Sequence, residues 1–501
     1  MTIAAFKDAP RSRHRAYSDD STLVPAAPEY TTGDILSGSL DRALLLGIPD
    51  SEIDLGKLAT LPAQFGQNEQ PWTHLIGSAL RAPPKAKGSL ADVIPVVPQL
   101  SARGAVIGAP RNRWRPGKFA LAALEADAAD SDILDVLAAA LAVDDRDELA
   151  AVFLERELKA IGGGGQGAVR ERSASFWRRE RAEPLTPGER LASDMRSLVR
   201  VKHVLPRYQW YVLMQATLRL GVPCYQLWLC MLHEHLWRAL CAIVDEAGPV
   251  TPAAVIEREW CTDHAGEHPL LELGENATDA IKAHLSRYAV ARVGINLVLH
   301  ALDDCGDDAK WETAIGSGVD GESPAESLER FMEKVSANRA RLLAVLGAAG
   351  LDNGLQRAAQ QLADADPDFV SAEDGATNNL REFLRHTLGR ATRKKGDFEA
   401  FDQGFVTRPT TNATNAPQMV YPGSTTLVAL AACTAMGGSD LPASMQDLSL
   451  HLREYGVYAP LGTLTEGRLG RELEELGLTV DTPDAGGGRL LVNPFSSALV
   501  P

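Results

Sequence analysis

Cys261, His264 and His268 stand at Cys-x2-His-x3-His spacing, so one sulfur and two nitrogen donors fall within eight residues and could hold a zinc ion. A structural zinc needs a fourth ligand, which Cys230, His233 or His235 upstream, or His300 or Cys305 downstream, could supply. With an open coordination position the same centre would suit a metal-dependent hydrolase. Histidines on an acidic surface loop containing Asp263 and Glu267 account for these residues without a metal. His233-Glu234-His235 lacks the four-residue separation that puts two histidines on one helix face, so one ring should point inward and one outward. The glycine run Gly162 to Gly167 lacks the Gly-Lys-Ser/Thr of a phosphate loop and follows a helical pattern rather than a strand, which makes it a hinge. No Gly-x-Ser-x-Gly elbow is present. These residues assign no catalytic group, metal or cofactor, and the expectation is a protein that is not an enzyme.

Basic residues form three clusters in a chain of formal net charge -16. Arg103, Arg111, Arg113, Arg115 and Lys118 surround Trp114, and a second cluster from Arg170 to Arg207 surrounds Phe176 and Trp177. The third runs from Arg381 to Lys395 and has only Glu382 against it. On one helix Arg381 and Arg385, then Arg390, Arg393 and Lys394, would lie close to a single stripe that could track a phosphate backbone. A solvated face, or a dock for an acidic partner, explains the same stripe.

Length and composition bound the rest. A chain of 501 residues, 45% of them hydrophobic, has room for two to four domains. The acidic balance excludes a protein coated in nucleic acid. Six scattered cysteines do not make a disulfide framework, and no run of about 18 apolar residues stands out as a membrane span, so a cytoplasmic protein is expected. The abundance of Ala, Gly, Arg and Asp is that of a GC-rich bacterial genome.

Four regions follow from the patterning. Residues 1–117 are rich in Pro and Gly and irregular, with one short helical run at Leu40 to Leu46. Residues 118–404 carry apolar side chains at helical spacing and form a helical body. Its centre, Glu189 to Glu246, is read as two long helices broken at Gly221-Val222-Pro223. Further helices are read over Ala277 to Leu302, Pro324 to Leu346, Leu355 to Ala363 and Asn379 to Phe401. Residues 405–423, with many Thr, Asn and Pro, form a linker. The fold class is mainly α.

Residues 424–501 are the most legible. Ser424 precedes an apolar stripe that stops at Gly437-Gly438, Ser444 and Asp447 have capping-box spacing before Leu448 and Leu452, and Thr463 and Glu466 repeat that spacing before Leu469 and Leu473. Gly477 sits where a left-handed C-cap is wanted. Leu478 to Val480 and Leu490 to Val492 then flank a glycine-rich turn. Three capped helices followed by a hairpin resemble the winged helix-turn-helix superfamily. That resemblance implies a DNA- or protein-docking module, with Arg468, Arg471 and Arg489 as its basic contacts. Glu466, Glu472, Glu474 and Glu475 lie on the same third helix, so groove binding by it is expected to be unfavourable. A large helical body ending in this module resembles accessory subunits of bacterial DNA-processing and anti-phage defence systems. The implied function is a scaffold or adaptor assembled with other protein subunits, such as a motor or nuclease, with weak contact to DNA and no membrane. The competing expectations are the metal-dependent hydrolase and a transcriptional regulator.

Overall fold

One 38-residue helix, Arg207–Val244, organises the molecule because it is apolar on all its faces and every long neighbour packs against it. The computed structural model describes residues 36–46, 97–98, 116–126, 132–162, 184–248, 268–304, 324–351, 354–365, 375–389, 404–411, 416–437, 442–481 and 489–496. Within them the helices are α1 (Leu36–Asp41, continuing as a π turn over Arg42–Leu46), α2 (Pro116–Leu124), α3 (Ile133–Leu141), α4 (Leu149–Gly162), α5 (Pro187–Arg200) and α6 (Arg207–Val244). They continue as α7 (Ala277–Asp304), α8 (Pro324–Ala337), α9 (Arg339–Ala348), α10 (Leu355–Asp364) and α11 (Gly375–Leu388). The last four are α12 (Ser424–Gly437), α13 (Met445–Glu454), α14 (Leu461–Thr465) and α15 (Arg468–Glu475). The described residues are mainly helical, as the patterning predicts.

Helix α6 corrects the expected break at Pro223, since it runs through that residue without interruption. An internal proline costs a helix roughly 3 kcal/mol, but Leu220, Val222, Cys224, Tyr225 and Trp228 are all buried around it. Packing on both sides of the proline outweighs its local penalty. By length and composition α6 is also apolar enough to cross a membrane, unlike the expectation that no such run exists. In this fold α1, α2, α5, α7, α8, α11 and α12 pack against it, and its apolar faces are spent on them. Trp210, Tyr211, Tyr225 and Trp228 are fully buried, with Tyr225 stacked on Trp228 at 5.8 Å between ring centroids.

Among the described residues six short strands pair in twos. β1 (Leu271–Glu272) lies parallel to β4 (Val457–Tyr458), β2 (Thr407–Pro409) is antiparallel to β3 (Gln418–Val420), and β5 (Thr479–Asp481) is antiparallel to β6 (Arg489–Leu491). The β2–β3 hairpin occupies the segment expected as a plain linker. The helix expected over 379–401 also differs: α11 ends at Leu388, and Gly389 bridges to Thr407. Arg390, Arg393, Lys394 and Lys395 lie outside the described residues.

The C-terminal elements share the core of the body. α12 packs on α5 and α6, and one continuous set of buried apolar side chains runs from Leu36 to Phe495. The capping box of Ser444 and Asp447 forms as its spacing predicts, and Gly477 adopts φ 69°. The third helix is split, because the chain turns at Glu466 and Gly467 and Thr463 caps nothing. Gly456, at φ 77°, accepts the Leu270 and Leu271 N–H groups and carries the strand pairing that ties this region to β1.

A buried charge cluster locks the same junction. Asp194 of α5 accepts hydrogen bonds from His451 Nε2 at 2.8 Å and from Tyr455 Oη at 2.7 Å, and pairs with Arg190 at 2.7 Å. Arg190 also reaches Glu454 at 3.1 Å, while Cys433 of α12 donates its thiol to the Asp194 carbonyl at 3.7 Å. Burial raises the proton affinity of Asp194, but Arg190, His451 and the two hydrogen bonds outweigh it and hold the carboxyl below the usual range. A depressed carboxylate contributes stability above its unfolded pKa of about 3.9 and loses it as pH falls through the folded value. Asp194→Ala leaves Arg190 buried without its closest partner and is expected to cost about 3–5 kcal/mol, read from the urea midpoint. Asp194→Asn should be less stable at neutral pH, and its stability should fall less than the wild type's on acidification below about pH 4.

Candidate functional site

The β2–β3 hairpin brings together side chains that are far apart in the chain. Its register sets Arg408 opposite Met419 and Thr407 opposite Val420, and Tyr421 follows β3 directly. Strand side chains alternate between faces, so Pro417, Met419 and Tyr421 share one face with Arg408. The Arg408 guanidinium lies 3.5 Å from the Tyr421 ring centroid, and that of Arg468 lies 5.5 Å from the same centroid. The Tyr421 hydroxyl donates to Glu472 at 3.1 Å, and Ser424 donates to the other oxygen of Glu472 at 3.0 Å. Partial burial and the neighbouring Arg468 lower the proton affinity of Arg408, although a guanidinium remains charged. Burial and the Glu472 carboxylate raise that of Tyr421.

Helix α15 separates its charges along its length. Leu469, Gly470 and Leu473 face the core, Arg468 and Arg471 are exposed in the first turn, and the glutamates follow. Two cations at a helix N-terminus oppose the helix dipole, so their placement there is not explained by helix stability. Glu472 is engaged by Tyr421 and Ser424, and Glu474 by Arg489. Arg489 also pairs with Asp481 at 3.0 Å and donates to the Thr465 carbonyl at 3.1 Å, which makes it a tie between the hairpin and the helices beside it.

Arg381 and Arg385 lie on α11, and both contact Glu382, at 3.1 and 3.4 Å. They line a cavity of about 300 Å³ with Lys282 and the first turn of α7, and Ala416 and Pro417 close one side. The hairpin thus joins the two basic places. Pro417 borders the cavity and Tyr421, four residues or about 13 Å along the strand, carries the arginine pair.

The metal and motif candidates fare as follows. Cys261 and His264 lie outside the described residues, and His268 is exposed. Among the described residues no three His, Cys, Asp or Glu side chains are gathered for a metal. His233 is fully buried with its ring edge-on to Tyr288 at 5.2 Å, Glu234 pairs with Arg287 at 2.9 Å, and His235 is half-buried, so the two histidines point apart as their spacing implies. Burial pushes the thiols of Cys224, Cys230, Cys241 and Cys433 up, which makes them poor nucleophiles. The glycine run ends beyond the described residues.

No protein family, curated protein or solved structure matches the chain. The reading of the site therefore rests on its own geometry. Sequence patterning singles out Arg381, Arg385, Arg468 and Arg471 but misses Lys282, Arg408 and Tyr421. Those three lie on α7, on β2 and just after β3, and no local spacing links them.

The arginines should separate by role. Arg489→Ala removes two ion pairs and a carbonyl contact and is expected to lower stability by about 1 kcal/mol, whereas Arg471→Ala should stay within about 0.5 kcal/mol of the wild type. Denaturant midpoints at constant m-value check both.

Proposed function

We propose that this chain is a non-enzymatic adaptor whose helical body carries a C-terminal winged helix, and that the adaptor docks other subunits onto nucleic acid. The order of α13, β4, α14, α15 and the β5–β6 hairpin supports the winged-helix reading. So does the return of β6 to the start of α13, where the Leu491 N–H donates to the Ala443 carbonyl at 2.7 Å. The observation that carries the nucleic-acid contact is the pair of guanidiniums, Arg408 and Arg468, on one tyrosine ring, with Arg471 exposed on the same helical turn. Like charges held together beside a solvent-facing ring suit phosphate oxygens, whose negative charge relieves their repulsion. Of the glutamates that argue against this surface in the sequence, Glu472 and Glu474 are engaged within the fold, while Glu466 and Glu475 are exposed.

A docking role for the same region is supported by its apolar surface. Among the described residues, five of the seven exposed large hydrophobic side chains (Leu450, Tyr458, Leu461, Leu476 and Val480) lie between 450 and 480. Adaptors of this architecture would serve bacterial DNA-processing or anti-phage assemblies in which another chain is the motor or nuclease.

The double variant Arg408→Glu, Arg468→Glu is expected to weaken nucleic-acid binding across all sequences, because phosphate contacts carry no sequence information. Loss of two phosphate contacts should reduce the slope of log affinity against log salt by about 1.4–1.8. Fluorescence anisotropy at several salt concentrations reads both. Binding of the folded double variant equal to that of the wild type would overturn the assignment of this surface.

A further inference from the structure

The cavity at the start of α7 gathers more positive charge than its own carboxylates absorb. Lys282 enters from α7, and Arg381 and Arg385 from α11. Glu382 faces Arg381, Arg385 and His386, at 3.1, 3.4 and 3.2 Å, and these bases hold it below the usual carboxylate range despite its partial burial. Asp279, also on the lining, accepts from Asn276 Nδ2 at 2.7 Å. Lys282 has no ion pair or hydrogen bond among the described residues. The first-turn amides are already used, since Thr278 N–H donates to Asn276 Oδ1 at 3.1 Å and Asp279 N–H to the Asn276 carbonyl. Any anion here is therefore held by the three side-chain cations and not by the helix terminus.

We propose that this cavity binds a phosphate monoester as its dianion. Three cations line this space against Glu382 and Asp279, so their charge is only partly offset and an incoming anion relieves the repulsion that is left. A monoester presents three free oxygens and up to two negative charges, matching two guanidinium forks and an ammonium. An internal phosphodiester presents two free oxygens and one charge, and its chain must leave on both sides. About 300 Å³ is the lower end of small-molecule sites, and it leaves room beside the phosphate for a sugar. Ile281 and Pro417 would form its apolar wall, and Asp279 and Asn276 would face its hydroxyls. The monoester can belong to a free sugar phosphate or to the 5′ end of a nucleic-acid strand. The inference stands independently of the Arg408–Arg468 surface.

Calorimetric titration of the full-length protein with ribose 5-phosphate, and with single-stranded oligonucleotides bearing a 5′-phosphate or a 5′-hydroxyl, tests it. The expected result is binding of ribose 5-phosphate, or a preference for the 5′-phosphorylated strand over the 5′-hydroxyl one, weakened by about tenfold or more in Lys282→Gln and in Arg385→Gln; in Arg408→Glu, Arg468→Glu that binding or preference is retained even though both strands bind more weakly. Affinity should also fall as pH drops through about 6, where the dianion takes up a proton. Lys282→Gln leaves the Glu382 pairs intact, so it remains informative if Arg385→Gln fails to fold. Tight binding of ribose 5-phosphate assigns the source as a small molecule, while a preference for the 5′-phosphorylated strand without it assigns a strand end. Equal affinity for the two oligonucleotides with no binding of ribose 5-phosphate, or full affinity in folded Lys282→Gln, would overturn the proposal.

Discussion

A buried carboxylate must have its charge compensated in place, and Asp194 is the point at which this molecule meets that requirement. Its partners come from its own helix and from α13 and the residue that follows it, so the ion cluster can form only when the C-terminal elements sit at one position against α5. Breaking a buried pair by removing one partner costs far more than the pair is worth in net stability. The cluster therefore specifies placement more than it adds free energy. With α13 located, β4 meets β1, Gly456 meets Leu270, and the hairpin bearing Arg408 and Tyr421 is brought to α15.

The N-terminal end of α6 is held by the same kind of contact. Arg207 pairs with Asp147 at 3.1 Å and donates to the Tyr211 hydroxyl at 3.0 Å, and that hydroxyl donates to Asp41 at 3.0 Å. Lys202 reaches Asp144 at 2.9 Å and the Ala142 carbonyl at 2.9 Å. Desolvation works against the Asp144 charge, but Lys202 and the Arg146 N–H outweigh it and bring its pKa to about 2. A long apolar helix can slide or rotate against equally apolar neighbours. Charged groups that tolerate only one arrangement remove that freedom at this end.

Charge also shows why a sum over residues misleads at the candidate surface. The third-helix segment is acidic by count, yet Glu472 and Glu474 are engaged with Tyr421, Ser424 and Arg489, while Arg468 and Arg471 remain exposed. Of the three arginines that the sequence offers as basic contacts of this region, Arg489 is the one most fully occupied by internal partners. What a nucleic acid or phosphate would meet is the charge left over after internal pairing.

The helical class, the Ser444–Asp447 capping box, the Gly477 C-cap and the final hairpin were legible in the sequence because each depends on residues a few positions apart. Periodicity likewise located α7 and α10, although the single helix read over Pro324 to Leu346 divides into α8 and α9 at Asn338, and the i, i+2 spacing of His233 and His235 was enough to separate their directions. Tertiary structure alone decided that α6 runs through Pro223, where burial on both sides outweighs a local penalty, and that α11 stops at Leu388. It also decided that 405–423 forms a hairpin, since strands of three residues have no stability until something long-range pairs or covers them. The convergence of Arg408, Tyr421 and Arg468, and of Lys282 with Arg381 and Arg385, belongs to the same category. Those side chains are separated by tens of residues or more, and no local pattern encodes which distant charges will share a space.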